Sequence, residues 1–152
     1  MKHQTVEQLE TSADVHLENP VAARLSLRER LERWATALER EPHRRLNTLF
    51  ETEHSDRTSR DAMRCDGSPL SVAFADPVLR TEGLESDTYG TVQSFFRLTD
   101  AEMHRITCYC LNGTKISAEA AARLLRTTRS YRGPGMMARA LSWIGGRLAR
   151  ST

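Results

Sequence analysis

Signals for the start of a helix, each followed by an apolar stripe, recur along this chain. Ser26 and Glu29 have the spacing of a capping box, in which each side chain satisfies a free backbone N–H at the start of a helix. Thr99 and Glu102 repeat that spacing. The first box is followed by an apolar stripe at helical spacing, made of Leu27, Leu31, Trp34 and Leu38. We therefore predict an all-α fold, an irregular bundle of about six to eight mostly short helices with a separate C-terminal amphipathic helix.

The apolar stripes also predict which residues form the core. Helices at residues 88–97 and 99–111 carry apolar side chains on one side and should pack against the stripe of residues 27–38. We expect the most deeply buried side chains to be Trp34, Leu38, Phe95, Phe96 and Ile106.

Two segments between these helices are harder to assign. Pro42 can open a new helix, which would bury Leu46, Leu49 and Phe50. Residues 70–75 alternate between apolar and small side chains, which favours an extended packing segment rather than a helix.

The boundaries of the chain's three regions follow from its breaker residues. The helical core domain is assigned to residues 24–132, after an N-terminal helix or partly mobile arm at residues 1–23 that contains Pro20. Gly133, Pro134 and Gly135 then break the chain before a basic amphipathic helix within residues 133–152. A chain of 152 residues is long enough to bury a core of its own.

Charge is distributed unevenly along the chain. Residues 115–152 carry eight basic side chains and one acidic side chain, a net charge of +7, whereas residues 1–114 carry fourteen basic and nineteen acidic side chains, a net charge of −5. The two ends nearly cancel to a formal net charge of +2. A basic terminal region on an acidic body suggests attachment to an anionic partner.

The C-terminal helix is the predicted docking element. On a helical wheel its apolar side chains fall on one arc, with arginines at the edge, as in helices that lie in a membrane interface or in a groove of a partner protein. The predicted docking residues are Met136, Met137, Arg139, Leu141, Trp143, Ile144, Arg147 and Leu148. The competing interpretation is that this arc covers the protein's own core.

Residues 99–132 allow a second interpretation, because two helices joined by a short glycine-containing link resemble a helix-turn-helix unit. The alanine-rich run from Ile116 to Leu125 is similar to the scaffold helix of many such DNA-binding units. Basic residues recur every third position and would follow phosphates; they are Arg123, Arg126, Arg129 and Arg132. An ordinary helical hairpin with a solvated basic face gives the same pattern.

The three cysteines are expected to be unpaired. An odd cysteine count argues against a disulfide framework and is typical of a reducing compartment. A thiol or metal sensor built on Cys65, His104 and Cys108 is a weaker alternative, because on one continuous helix Cys110 would point about 200° away from Cys108. Buried free cysteines that act as small apolar side chains are the simpler interpretation.

No pattern in the chain predicts catalysis. There is no phosphate-binding loop, nucleophile elbow or glycine-rich dinucleotide motif, so we expect no enzyme activity, no metal site and no cofactor. No apolar run reaches the roughly 18 residues of a transmembrane helix.

These observations favour a small bacterial regulatory or adaptor protein, located in the cytoplasm or peripherally at the membrane. It would dock through its basic C-terminal helix on a protein partner or an anionic membrane surface, with homo-oligomerisation left open. A DNA-binding transcriptional regulator is the alternative.

Overall fold

The computed structural model describes residues 24–50, 52 and 54–133 of the chain. Those residues form nine helices and one two-stranded ribbon, which confirms the predicted all-α irregular bundle. The predicted helix within residues 1–23 and the predicted docking helix from Met136 onward lie outside the described residues.

The elements follow one another with short connections. In chain order they are α1 (Leu27–Glu39), β1 (Arg45–Asn47), α2 (Arg57–Asp61), α3 (Pro69–Ala75), α4 (Pro77–Thr81), α5 (Tyr89–Phe96), α6 (Asp100–Thr107), α7 (Tyr109–Asn112), β2 (Lys115–Ser117), α8 (Ala118–Thr127) and α9 (Arg129–Arg132). The described residues alone contain more helices than predicted for the whole chain, partly because two predicted helices are each divided, one at Cys108 and one at Thr128.

Helix α1 begins as its sequence predicts. Ser26 accepts a hydrogen bond from the backbone of Glu29 at 3.3 Å, and the Glu29 carboxylate accepts one from the backbone of Ser26 at 2.7 Å. The buried face of α1 is made of Leu31, Trp34, Ala35 and Leu38. The capping box therefore sets the helix start, and the apolar stripe sets its orientation.

The core is assembled around α1 and α8. Helix α8 buries small side chains and one leucine against α1, and they are Ala118, Ala121, Ala122 and Leu125. These small side chains leave room for α1 to approach α8 closely, although α1 carries the large indole of Trp34. The Trp34 ring stacks on Phe96 with 4.6 Å between ring centroids, and its Nε1 donates to the carbonyl oxygen of Pro69 at 3.0 Å.

Four of the five predicted core side chains are buried, namely Trp34, Leu38, Phe96 and Ile106. The fifth, Phe95, is only half-buried and packs edge-on against Phe96 at 4.8 Å. The guanidinium of Arg30 covers its outer face at 4.8 Å from the ring centroid.

The helix predicted after Pro42 is wrong. Residues Arg45–Asn47 form β1, which pairs antiparallel with β2 and sets Leu46 opposite Ile116 in the interior. Leu49 is also buried, but Phe50 is 57% exposed. The pairing partner lies about 70 residues away along the chain, so no local pattern could indicate it.

The extended segment predicted at residues 70–75 is also wrong, because these residues lie within α3. Ser68 caps the helix by accepting a hydrogen bond from the backbone of Ser71 at 3.4 Å, and Pro69 occupies the first turn. A serine cap followed by proline is a strong local start signal, and here it outweighs the alternating pattern.

Candidate functional site

Arg126, one of the four predicted phosphate-binding arginines, is bound to carboxylates of α1. Its Nε and Nη2 donate to the two carboxylate oxygens of Glu32 at 3.1 and 2.7 Å. Nη2 also donates to Glu39 at 2.9 Å, and Nη1 donates to the other oxygen of that carboxylate. The Tyr131 hydroxyl adds a hydrogen bond to Glu32 at 2.8 Å, so the end of the described chain is fastened to α1.

These contacts change the acidity of the groups involved. Hydrogen bonds from Arg126 lower the pKa of Glu32 and of Glu39 below their usual value, because they favour the charged carboxylates. The same contacts raise the pKa of Arg126. The guanidinium is therefore saturated by carboxylates of its own chain and has little capacity left for a phosphate.

The other three predicted phosphate contacts are placed differently. Arg123, Arg129 and Arg132 are exposed. The backbone N–H of Arg129 donates to the Glu102 carboxylate at 2.6 Å, which brings an acidic group next to this short basic segment. The four arginines therefore lie in different environments, with Arg126 bound to carboxylates of its own chain and the other three exposed.

The helix pair at residues 99–132 departs from the geometry of a helix-turn-helix unit. Helix α8 ends at Thr127, and Thr128 is an extended residue that caps the following helix. That helix, α9, has four residues and ends at Arg132, before Gly133 with φ of 70°. A recognition helix needs several turns to present side chains to the bases of a major groove, whereas α9 provides one turn.

Cys108 and Cys110 form a second feature, a disulfide between the residue that joins α6 to α7 and the second residue of α7. Their sulfurs are bonded and their α-carbons lie 5.5 Å apart, within the usual range for a disulfide. The Cys108 side chain is fully buried, whereas Cys110 is exposed. The predicted free state of these two cysteines is wrong, while Cys65 is free and half-buried.

The disulfide is possible because the predicted helix of residues 99–111 is interrupted. Cys108 has φ of −79° and ψ of 137°, an extended conformation, so the 100° helical step no longer separates it from Cys110. The helix is interrupted where the backbone of Leu49 pairs with the backbone on both sides of Cys108. Its backbone N–H donates to the carbonyl of Thr107 at 2.8 Å, and its carbonyl accepts from the backbone of Tyr109 at 2.9 Å.

The predicted sensor residues are not brought together as a metal site. Within residues 24–50, 52 and 54–133, no group of three or more His, Cys, Asp or Glu side chains could hold a metal ion. Cys108 is bonded to Cys110, and burial together with the charge of Asp66 raises the pKa of the Cys65 thiol. The Nε2 of His104 is buried, without a hydrogen-bond partner among the described residues.

Large exposed apolar side chains flank Cys110 in the sequence, and a third stacks on one of them. Phe50, Tyr109 and Leu111 are 57%, 39% and 61% exposed. Phe50 and Tyr109 stack with 4.2 Å between their ring centroids. We call these three residues the aromatic patch. It places exposed apolar side chains next in sequence to the exposed residue of the disulfide.

A polar cluster lies where α2 meets α5. Tyr89 is fully buried, and burial raises its pKa to about 12. The guanidinium of Arg60 lies over the Tyr89 ring at 5.4 Å and pairs with Asp100 at 3.2 Å. Gly90 allows this close packing, because a β-carbon at its position would lie 2.6 Å from the β-carbon of Asp61.

Sequence reasoning missed the disulfide and the aromatic patch for one reason. Both depend on the crossing of Leu49 over the turn at Cys108, a contact between distant parts of the chain. The Cys-Tyr-Cys spacing was the only signal available in the sequence.

None of the helices in the described part of the chain has the length and apolar content needed to cross a membrane. No known family model matches the chain, and no curated protein or solved structure matches it either.

Proposed function

We propose that this protein is a small non-catalytic regulatory or adaptor protein whose basic C-terminal segment docks on an anionic surface. The supporting observation is that, within the described part of the chain, 21 buried residues between Leu31 and Leu125 form a hydrophobic core. In the sequence, residues 136–150 combine an apolar arc with Arg139, Arg147 and Arg150 at its edge, in the most basic part of the chain.

The fastening of the described C-terminal end supports the same proposal. Tyr131 binds Glu32 through its hydroxyl, and the Arg28 guanidinium lies 5.2 Å from the centre of its ring. The chain is therefore anchored to α1 directly before Gly133. A segment that follows a fixed anchor is presented from a defined place on the body.

Binding to duplex DNA has less support. Arg126 is occupied by Glu32 and Glu39, and α9 has only four residues. A protein partner or an anionic membrane is therefore the better-supported binding target of the basic segment.

The test compares the full-length protein with two triple charge reversals. The first variant replaces Arg139, Arg147 and Arg150 with Glu. The matched control makes the same change in charge at Arg40, Arg44 and Arg105, which are exposed side chains of the body. Each arginine near an anionic surface contributes about 1 kcal/mol to binding, so the first variant should bind at least about tenfold more weakly.

Three probes separate the possible surfaces. They are vesicles of phosphatidylcholine and phosphatidylserine in a sedimentation assay, duplex DNA in a salt titration, and quantitative affinity capture from cell extract. Loss of vesicle binding or of a captured protein in the first variant only supports docking through the C-terminal segment. Equal behaviour of all three proteins, or binding to DNA alone, contradicts the proposal.

A further inference from the structure

We propose that Cys108 and Cys110 form a reversible dithiol–disulfide couple that exchanges with external thiols through the sulfur of Cys110. The observation that carries this proposal is the asymmetry of the bond. The Cys110 residue is exposed, whereas Cys108 is fully buried. The Cys110 side of the bond is therefore the side open to an incoming thiolate, and access helps to decide which sulfur is attacked.

A backbone amide next to the disulfide can stabilise the leaving group, which is the thiolate of Cys108. The backbone N–H of Cys110 lies 3.2 Å from the sulfur of Cys108 and donates to it. When an external thiolate attacks Cys110, the S–S bond breaks and its electron pair stays on Cys108. The amide is then in place to stabilise that thiolate, and a hydrogen bond to the charged form favours it.

The reaction balances with two external thiols. The first thiolate forms a mixed disulfide with Cys110 and releases the Cys108 thiolate, which takes a proton from water. A second thiolate attacks the outer sulfur of the mixed disulfide and releases the Cys110 thiolate, which is also protonated. The products are the protein dithiol and one external disulfide, and the reverse sequence oxidises the protein.

A structural role explains this disulfide poorly. The stabilisation from a cross-link grows with the length of the loop it closes, and here only Tyr109 lies between the two cysteines. Other contacts already hold the turn. Leu49 bonds to the backbone on both sides of Cys108, and the side-chain amide of Asn112 donates to the carbonyls of Arg105 and Cys108 at 2.9 and 3.1 Å. The bond can therefore open while the turn is retained.

The aromatic patch bears on which thiol reacts. Tyr109 and Leu111, the sequence neighbours of Cys110, and Phe50, which stacks on Tyr109, are exposed, which suits a cysteine flanked by apolar side chains in a protein partner. The polar tripeptide glutathione offers the same thiol chemistry without apolar flanks. The experiment therefore uses both thiols.

The test uses the full-length chain with Cys65→Ser, which removes the third thiol. The protein is equilibrated with mixtures of reduced and oxidised glutathione, quenched with acid, alkylated and weighed by mass spectrometry. We expect one two-electron transition in which both cysteines become alkylated together, while far-ultraviolet circular dichroism stays unchanged. The rate of opening is then compared between glutathione and a peptide whose cysteine is flanked by leucines.

Two single variants identify the reacting sulfur. With Cys108→Ser, the remaining Cys110 should accumulate a mixed disulfide with glutathione. With Cys110→Ser, the remaining Cys108 should react with glutathione at least about tenfold more slowly, because it is buried. If the peptide opens the disulfide faster than glutathione does, and Phe50→Ala reduces this difference in rate, the substrate is a protein thiol. If glutathione opens the disulfide as fast or faster, the substrate is a small thiol.

Three results would overturn the proposal. They are independent alkylation of the two cysteines at every glutathione ratio, a bond that opens only when the protein is unfolded, and faster modification of Cys108 than of Cys110 in the single variants. Because the C-terminal segment takes no part in this chemistry, the redox test and the docking test can fail separately.

Discussion

Arg126 binds both carboxylate oxygens of Glu32 across the interface of α1 and α8, through hydrogen bonds of 3.1 and 2.7 Å. A bidentate pair of this kind combines charge with planar geometry, which an ammonium group cannot reproduce. The side chains of Arg126, Glu32 and Glu39 are 30%, 43% and 38% exposed, so solvent screens part of the attraction.

Replacing Arg126 with Ala should lower the free energy of unfolding by about 1–2 kcal/mol, after discounting for this screening. Lysine at the same position should restore less than half of the loss, because it cannot pair with two carboxylates in the same way. Arg123→Ala, on the exposed side of α8, is the matched control and should change stability by less than about 0.5 kcal/mol. Urea denaturation measures the free energy of unfolding of all three variants. Equal losses of stability for Arg126→Ala and Arg123→Ala would contradict the role assigned to Arg126.

The same contacts predict a dependence of stability on acid. The pKa values of Glu32 and Glu39 are lowered in the folded protein from a usual value of 4.5. Their contribution to stability is therefore complete above pH 4.5 and is lost as the pH falls through the lowered folded values. Unfolding curves between neutral pH and acid should show a smaller loss for Arg126→Ala than for the unmodified protein. Parallel pH profiles would show that other carboxylates dominate.

Tyr89 predicts a loss of stability in alkali. Burial raises its pKa from 10.0 to about 12, so the unfolded chain releases the phenolic proton first. Stability from this group should be complete below pH 10 and should fall between pH 10 and about 12. Tyr89→Phe should remove this component, and at neutral pH it should be neutral or stabilising, because the hydroxyl is buried with no partner among the described residues. Phenolate absorbance during a pH titration provides an independent measurement.

At Gly90, replacement by alanine should destabilise the protein, although the same replacement inside a helix usually stabilises it. An alanine inside a helix normally stabilises it by about 0.5–1 kcal/mol relative to glycine. At position 90 the new β-carbon would lie 2.6 Å from that of Asp61, so Gly90→Ala should destabilise the protein by about 1–3 kcal/mol. The double variant Gly90→Ala with Asp61→Gly removes the two closest contacts but leaves the α-carbon of residue 61 at 3.1 Å, so it should recover part of the loss. Ser94→Ala, which lies on the exposed side of the same helix, is the control for helix propensity.

Phe96 should be among the most sensitive core positions. Its ring is fully buried and stacks on Trp34, so Phe96→Ala should cost about 3–5 kcal/mol through lost burial and a cavity. Phe95→Ala is the natural comparison, because its half-buried ring should cost less than half as much. Thermal melting of the two variants checks the difference, and similar shifts would contradict the placement of the two rings.

Local signals in the sequence predicted the parts of this fold that are locally determined. The boxes at Ser26 and Thr99 begin α1 and α6 as expected, and Ser117 caps α8 by accepting a hydrogen bond from the backbone of Ala120. Each of these signals spans four residues, so no knowledge of the tertiary fold was needed.

The parts that sequence reasoning missed depend on long-range contacts. Leu46 pairs with Ile116, and Leu49 crosses at Cys108, so the expected helix after Pro42 was replaced by pairing with distant backbone. The same crossing interrupts the second long helix and brings Cys110 to Cys108. The odd cysteine count, which argued against a disulfide framework, does not exclude a single pair. The expectation that Cys110 points away from Cys108 assumed one continuous helix, and that premise did not hold.

The pairing of α1 with α8 has a consequence for the chain as it is made. Glu32 and Arg126 are 94 residues apart, so at a synthesis rate of about 5–20 residues per second the partner of α1 arrives roughly 5–20 s later. During that interval Leu31, Trp34 and Leu38 have no α8 to cover them. A ribosome-bound nascent chain of this protein should therefore be a target for chaperones that hold apolar segments until α8 has been synthesised.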